Sequence, residues 1–189
     1  MFKKSFAPIV PKKSKLLILG SLPGDKSLQE NQYYAHPQNR FWKTLALLLS
    51  APTPIDYASR VELLHQHHIA LWDVCEAAIR KGSMDTDILE ESPNKIDQLL
   101  KDNSNIKAVC FNGQKAQKLF DKYFKRLPHL QYITLPSTSP ANASFNQERL
   151  LAAWQIVQTM VSTSWSATFY LSVIGISLGL LFLHIRCQT

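Results

Sequence analysis

Four short apolar runs, Leu16 to Leu19, Ile69 to Val74, Ile106 to Phe111 and Tyr132 to Leu135, recur along the chain with helical patterns between them. Runs of this length, rich in Leu, Ile, Val and aromatic residues, read as buried strands. The helical segments are Arg40 to Leu49, Tyr57 to His65, Ile96 to Leu100, Gln114 to Tyr123 and Phe145 to Val161. Asp56 stands at a cap position before the second, Ser92-Pro93 precedes the third, and the turn pair Asn112-Gly113 precedes the fourth. Ser144 with Gln147 three places on gives the last a capping-box spacing. Strands alternating with helices predict an α/β fold, with a short, mostly parallel four-stranded central sheet covered on both faces.

A chain of 189 residues with 46% hydrophobic content supplies one full core, and residues 1–162 are expected to form it as a single domain. The net charge of +7, from 21 Lys and Arg against 14 Asp and Glu, favours an anionic partner: nucleic acid or an anionic membrane surface. Cys75, Cys110 and Cys187 stand far apart with no CxxC spacing. Neither a disulfide framework nor a zinc ribbon is therefore expected, and a reducing cytoplasm is the expected setting. Met1-Phe2-Lys3-Lys4 is basic, but Pro8 and Pro11 break the segment behind it, so no secretory signal is expected.

Residues 163–189 read as a separate apolar tail. No Lys, Arg, Asp or Glu stands between Arg149 and Arg186, and Trp165 to Ile185 is long and apolar enough to cross a bilayer as a helix. An apolar appendage packed on the domain has the same composition, because Ser166, Thr168, Ser172, Gly175, Ser177 and Gly179 dilute the hydropathy.

The first apolar run empties directly into Gly20-Ser-Leu-Pro-Gly-Asp-Lys-Ser27, and an aromatic and amide cluster, Tyr33-Tyr-Ala-His-Pro-Gln-Asn-Arg-Phe-Trp42, follows. Open α/β sheets bind ligands at the carboxyl ends of their strands, so this stretch is the expected active site. The loop nearly spells the phosphate-binding pattern GxxxxGK[ST], but Asp25 occupies the place of the second glycine and would face the phosphates. The helix that completes such a site is also not expected directly after it. Among His65, His67 and His68 only the first and last share a helical face, and no carboxylate or cysteine stands at an assisting spacing. No metal site is expected there.

The blocks Gly20 to Gly24 and Tyr33 to Trp42 resemble the first signature of the uracil-DNA glycosylase superfamily, most closely its hypoxanthine-DNA (deoxyinosine) glycosylase branch. Leu135-Pro-Ser-Thr-Ser-Pro-Ala-Asn142 is similar to the second signature and lies at the expected distance. The resemblance spans most of residues 14–160 and implies a compact three-layer α/β/α sandwich. It further implies a monofunctional DNA glycosylase for base excision repair. Such an enzyme hydrolyses the N-glycosidic bond of a deaminated base, hypoxanthine first and uracil or xanthine behind it, and leaves an abasic site. Damaged DNA is the implied partner, no cofactor and no metal are required, and a monomer in the cytoplasm, at the nucleoid, is expected. Some branches hold an iron-sulfur cluster through four cysteines, which three scattered ones cannot do. The alternative is a non-catalytic nucleic-acid-binding module on the same fold. Leu22 keeps it open, because several relatives carry Asn, Asp or Glu at that place to position water and Leu cannot.

The resemblance assigns catalysis to Asn39, the amide of the HPxNRFW block, which can orient water or hold the departing base; capping the helix that starts near Arg40 is its ordinary use. Gly20, Ser21 and Leu22 would line the base pocket, Gly20 letting the backbone turn tightly beneath the base. Tyr34 would support the flipped base, with Phe41 in the same pocket, while Tyr33 packs under the loop. Asn112, at the end of the third run, would read the base edge, although Asn-Gly is also a common turn pair. Ser137 and Ser139 would grip phosphates while Asn142 or Ala143 enters the space the base leaves, and a plain strand-to-helix connection has the same composition. Lys115, with Lys118 beside it, is the candidate for general phosphate attraction.

Overall fold

The computed structural model describes residues 1–162. In chain order its elements are β1 (Phe2–Lys4), β2 (Leu16–Gly20), α1 (Asp25–Glu30), α2 (Phe41–Leu48), α3 (Tyr57–Gln66), β3 (Ile69–Asp73), β4 (Cys75–Ile79) and β5 (Leu89–Pro93). There follow α4 (Ile96–Asp102), β6 (Ala108–Asn112), α5 (Gln114–Tyr123), β7 (Gln131–Leu135) and α6 (Gln147–Ser162). All four apolar runs are strands of one sheet, ordered β3-β2-β6-β7 and parallel throughout. β2, β3 and β6 are buried along their whole length, as continuous apolar runs require in a sheet covered on both faces.

Helices supply the cover. α3 packs on β3, α5 on β6 and β7, and α6 on both α2 and β2. Trp154 of α6 is fully buried and donates its indole N–H to the Pro136 carbonyl at 2.9 Å, fixing the helix to the segment that follows β7. Asp56 caps α3 as expected, in a reciprocal capping box with Ser59. α6 starts later than the Ser144 spacing predicts: Asn146 accepts from the Arg149 N–H at 2.8 Å, and Gln147 turns to Thr44 Oγ1 at 3.0 Å.

A second, antiparallel sheet, β1-β4-β5, departs from the expectation of one sheet. Its sequences, FKK, CEAAI and LEESP, lack an apolar run, because only part of one face is buried. This sheet continues directly from the carboxyl end of β3. Asn94 ties the two together, its Nδ2 donating to the Asp73 and Cys75 carbonyls at 2.9 and 3.0 Å. Helix α1 also corrects the sequence reading, since it begins immediately after Gly24. Its first turn does not suit an anion, because Asp25 sits there, ion-paired to the buried Lys3, and Lys26 turns to Glu30 at 2.6 Å.

Cys75 and Cys110 are buried, and burial pushes both thiols up to about 12. Among the described residues no helix is long and apolar enough to cross a membrane, and no cluster of His, Cys, Asp and Glu is arranged to hold a metal ion. The helix ends before His68, which adopts a left-handed backbone (φ 56°) and turns its ring to the Lys12 carbonyl, so His65 and His68 do not share a helical face. The expectation for residues 165–185 lies outside the described residues.

Candidate active site

A cavity of about 460 Å³ opens at the carboxyl ends of β2, β3 and β6. That is the place and size of a small-ligand site in an open α/β fold. Both sequence signatures reach it: Gly20, Ser21, Leu22, Tyr34 and Asn39 from the first, Ser137, Ser139 and Asn142 from the second, with Asn112 between them.

Arg40 joins the two signatures. Its guanidinium donates to the carbonyls of Thr138, Ser139, Asn142 and Phe145, and its own N–H bonds the Thr138 carbonyl at 3.1 Å. One planar cation satisfying several carbonyls of a single loop fixes that loop's shape. A second guanidinium does the same for the first signature. Arg80, 1% exposed, donates to the carbonyls of Leu22, Pro23 and Gly82 and lies 3.9 Å from the Asp85 carboxylate.

Between the signatures three side chains form one hydrogen-bonded chain. Asn112 Nδ2 donates to Thr138 Oγ1 at 3.0 Å, and Thr138 Oγ1 donates to Asn39 Oδ1 at 3.0 Å. Thr138 N–H returns to Asn112 Oδ1 at 2.9 Å, and the Phe41 N–H donates to Asn39 Oδ1 at 3.0 Å. Asn39, one residue before the N-cap Arg40, thus takes the first N–H of α2, while its Nδ2 makes no hydrogen bond to the described residues. Asn112 is 8% exposed and lines the cavity, with one N–H beyond its bond to Thr138 and the Tyr34 phenol beside its amide.

Tyr34 holds a left-handed backbone (φ 52°), a conformation that costs a non-glycine residue free energy and is often retained at functional sites. Phe41 stacks on its ring at 4.0 Å between centroids and 22° between planes. Phe41 is fully buried and does not line the cavity, so its place is behind Tyr34 and not against a ligand. Tyr33 is 3% exposed, with its hydroxyl donating to the Ala7 carbonyl at 3.2 Å. The Tyr34 hydroxyl is buried and without a hydrogen-bond partner among the described residues. Its burial, beside Asp73, holds the phenol well above its ordinary range.

Three carboxylates line the cavity: Asp25, ion-paired to Lys3, and two that sequence reasoning missed, Asp73 and Asp85. Asp73 ends β3 at 3% exposure, and its Oδ2 accepts from Ser5 Oγ at 2.8 Å, while Oδ1 makes no hydrogen bond to the described residues. Burial raises its acid to about 7, with nearby Asp85 adding to the rise and Ser5 and Arg80 opposing it. A Cβ on Gly20 would collide with Asp73 Oδ1 and come within 3.0 Å of the Tyr34 hydroxyl, so glycine is what lets these groups converge. Asp85 accepts from Ser21 Oγ at 2.6 Å. It comes from the β4–β5 connection, whose Ser83, Met84 and Thr86 also line the cavity.

The hydroxyls expected to face phosphates shape their own loop. Ser137 Oγ accepts from Ser139 N–H at 3.2 Å and Ser139 Oγ from Ala141 N–H at 3.3 Å. Asn142 donates to the Ser137 carbonyl at 2.9 Å and accepts from Ser144 at 2.9 Å. Pro140, Ala141 and Ala143 are exposed, the first two at the cavity. Lys115, half-buried in the first turn of α5, does not line the cavity.

Comparisons agree with this architecture. The family model described as the uracil DNA glycosylase superfamily matches residues 7–158. A hypoxanthine DNA glycosylase of Methanosarcina barkeri is 43% identical over 151 residues, 79% of this chain and 94% of that protein. Another, of Methanosarcina acetivorans, is 34% identical over 160 residues, 83% of this chain and 98% of that one. A solution NMR structure of a candidate uracil DNA glycosylase from Methanosarcina acetivorans superposes with a TM-score of 0.73 at 31% identity, covering 86% of this chain and all of that one. With its parallel sheet, its cavity at the strand ends and both signatures lining it, the chain belongs to the uracil DNA glycosylase superfamily.

Proposed function

We propose that this protein is a DNA glycosylase that hydrolyses the N-glycosidic bond of a deaminated base in damaged DNA, with hypoxanthine as its first substrate. The base is flipped from the duplex into the cavity, and one water molecule is consumed. Its oxygen bonds to C1′, the C1′–N electron pair leaves with the base, and the base acquires a proton. An abasic site remains, and Asn39, bonded to Thr138 of the second signature, acts in the chemical step. Tyr34, backed by Phe41, carries the base on its ring, a contact worth about 1–3 kcal/mol for a stacked base.

The observation that carries the reading is the placement of Asp73 in the cavity wall, beside Gly20, with an Oδ1 that makes no hydrogen bond to the described residues. Deamination turns the unprotonated ring nitrogen of adenine or cytosine into the lactam N–H of hypoxanthine or uracil. Ionised, above about pH 7, the carboxylate is only an acceptor: it pairs with the N–H and faces a lone pair when the normal base enters, so in that form it reads deamination itself. The remaining N–H of Asn112 is left to meet the adjacent carbonyl. Ser137, Ser139 and Asn142 keep the second loop in the shape that presents its backbone and its exposed alanines to the duplex.

Duplexes carrying one hypoxanthine, uracil, xanthine or adenine, each followed by alkaline cleavage of abasic sites, test the proposal. Cleavage is expected with hypoxanthine and absent with adenine. Tight binding without release from any duplex would favour a nucleic-acid-binding module on this fold. The protein is expected to act as a monomer. Membrane association through residues 165–185 would be seen as sedimentation with membranes that high salt does not reverse.

A further inference from the structure

We infer that Thr138 is a positioning residue, turning the Asn39 amide so that its NH2 group and not its oxygen faces the bound nucleotide. The inference rests on the assignment of Asn39 to the chemical step and says how that residue acts. Amide orientation follows here from backbone groups whose roles are fixed. The Phe41 N–H can only donate, so the Asn39 atom 3.0 Å away is its oxygen. Likewise the Thr138 N–H identifies the Asn112 atom 2.9 Å away as Oδ1, which directs Asn112 Nδ2 to Thr138 Oγ1. The hydroxyl then accepts from Asn112, and its single proton goes to Asn39 Oδ1, 3.0 Å away. Thr138 is fully buried, so bulk water does not compete for this proton.

Both acceptor positions of Asn39 Oδ1 are thereby filled, and two N–H bonds remain on Nδ2 at the cavity. An amide so held cannot take a hydrogen from a nucleophilic water. It would instead engage the water's lone pair, which weakens attack. N–H donors do suit the base as it leaves, when the electron pair of the breaking C1′–N bond moves onto the ring and negative charge grows there. The water contributes its OH to C1′ and the base takes its proton through solvent. Asn39 thus favours departure of the base, and Thr138 keeps it in that role.

Single-turnover release of hypoxanthine at saturating enzyme separates this from a merely structural threonine. Thr138→Val removes the hydroxyl while keeping the shape, and a slowing on the order of 10²-fold is expected for a mis-set catalytic group, with duplex affinity within about threefold of wild type. Thr138→Ser should recover most of the rate, and Thr138→Val should add no further loss to Asn39→Ala. Asn39→Asp supplies an acceptor and no donor, so it should be as slow as Asn39→Ala. A near-wild-type rate for Thr138→Val or for Asn39→Asp would overturn the inference. Loss in Asn39→Ala without loss in Thr138→Val overturns the relay alone, whereas a wild-type rate for Asn39→Ala overturns the underlying assignment and the relay with it.

Discussion

The two walls of the cavity are built from opposite chemistry. On one side, uncharged groups from both signatures, Asn39, Thr138 and Asn112, satisfy one another and leave N–H donors for a ligand. On the other, Asp73 and Asp85 are acceptors, held by hydroxyls and by the buried Arg80. A base leaving with an electron pair needs donors, and a lactam N–H needs an acceptor. Under the proposed function, Asn39 on the amide wall would serve release and Asp73 on the acid wall would read the lactam N–H, with Asn112 adding a contact to the adjacent carbonyl.

The largest expected effect falls on the amide wall. Asn39→Ala should abolish single-turnover base release while duplex affinity changes little, and activity within about threefold of wild type would break the division of labour. Next comes the acid wall. Asp73→Ala should lower hypoxanthine excision by roughly 10²-fold and narrow its lead over adenine, since the reading acceptor is lost. An equal loss on every duplex would show that Asp73 supports the fold and not the choice of base.

Stability should respond in the opposite direction at the same residue. The Asp73 acid is raised from 3.8 to about 7, so its contribution to stability is complete below the unfolded value and is lost as pH rises through 7. Asp73→Asn removes this dependence. In chemical denaturation its stability relative to wild type should climb between pH 4 and pH 8 by up to ~4 kcal/mol, at about 1.4 kcal/mol per pKa unit. A constant difference over that range would contradict the burial argument.

Arg40→Ala should cost roughly 2–3 kcal/mol, because several carbonyls of one loop lose a charged donor together. Arg40→Lys should not restore it, as an ammonium cannot reproduce the fork. The smallest effect concerns the tail: a chain ending at Ser162 should excise at the full-length rate, and loss of activity would make residues 163–189 part of the domain.

The parallel sheet was legible in the sequence because strands buried on both faces have no freedom to be polar. Leu16 to Leu19 and Ile106 to Phe111 could not read otherwise. The antiparallel sheet was not, because β1 is only three residues long and β5 has no buried residue, so hydrogen bonding rather than apolar pattern defines them. The same asymmetry holds for the site. Asn39 and Asn112 stand out in their motifs, whereas Asp73, which ends β3 as Asn112 ends β6, is hidden in the sequence by the apolar Val74 that follows it. Asp85 gave none, since its position depends on a connection of the small sheet. Arg40 and Arg80 act on carbonyls, and carbonyl partners have no sequence signature. Phe41 reads as a base contact from its motif neighbours, but helix α2 turns it inward behind Tyr34.

Under the proposed function, one water molecule replaces a deaminated base at C1′. The protein should be incubated with a hypoxanthine-containing duplex in water enriched in oxygen-18, and the free base and the abasic strand analysed by mass spectrometry. Free hypoxanthine without label and an intact strand bearing one oxygen-18 at the abasic sugar are the expected products, provided the sugar is reduced promptly to prevent exchange. No base release, or a strand broken by elimination through a covalent enzyme intermediate, would contradict the claim.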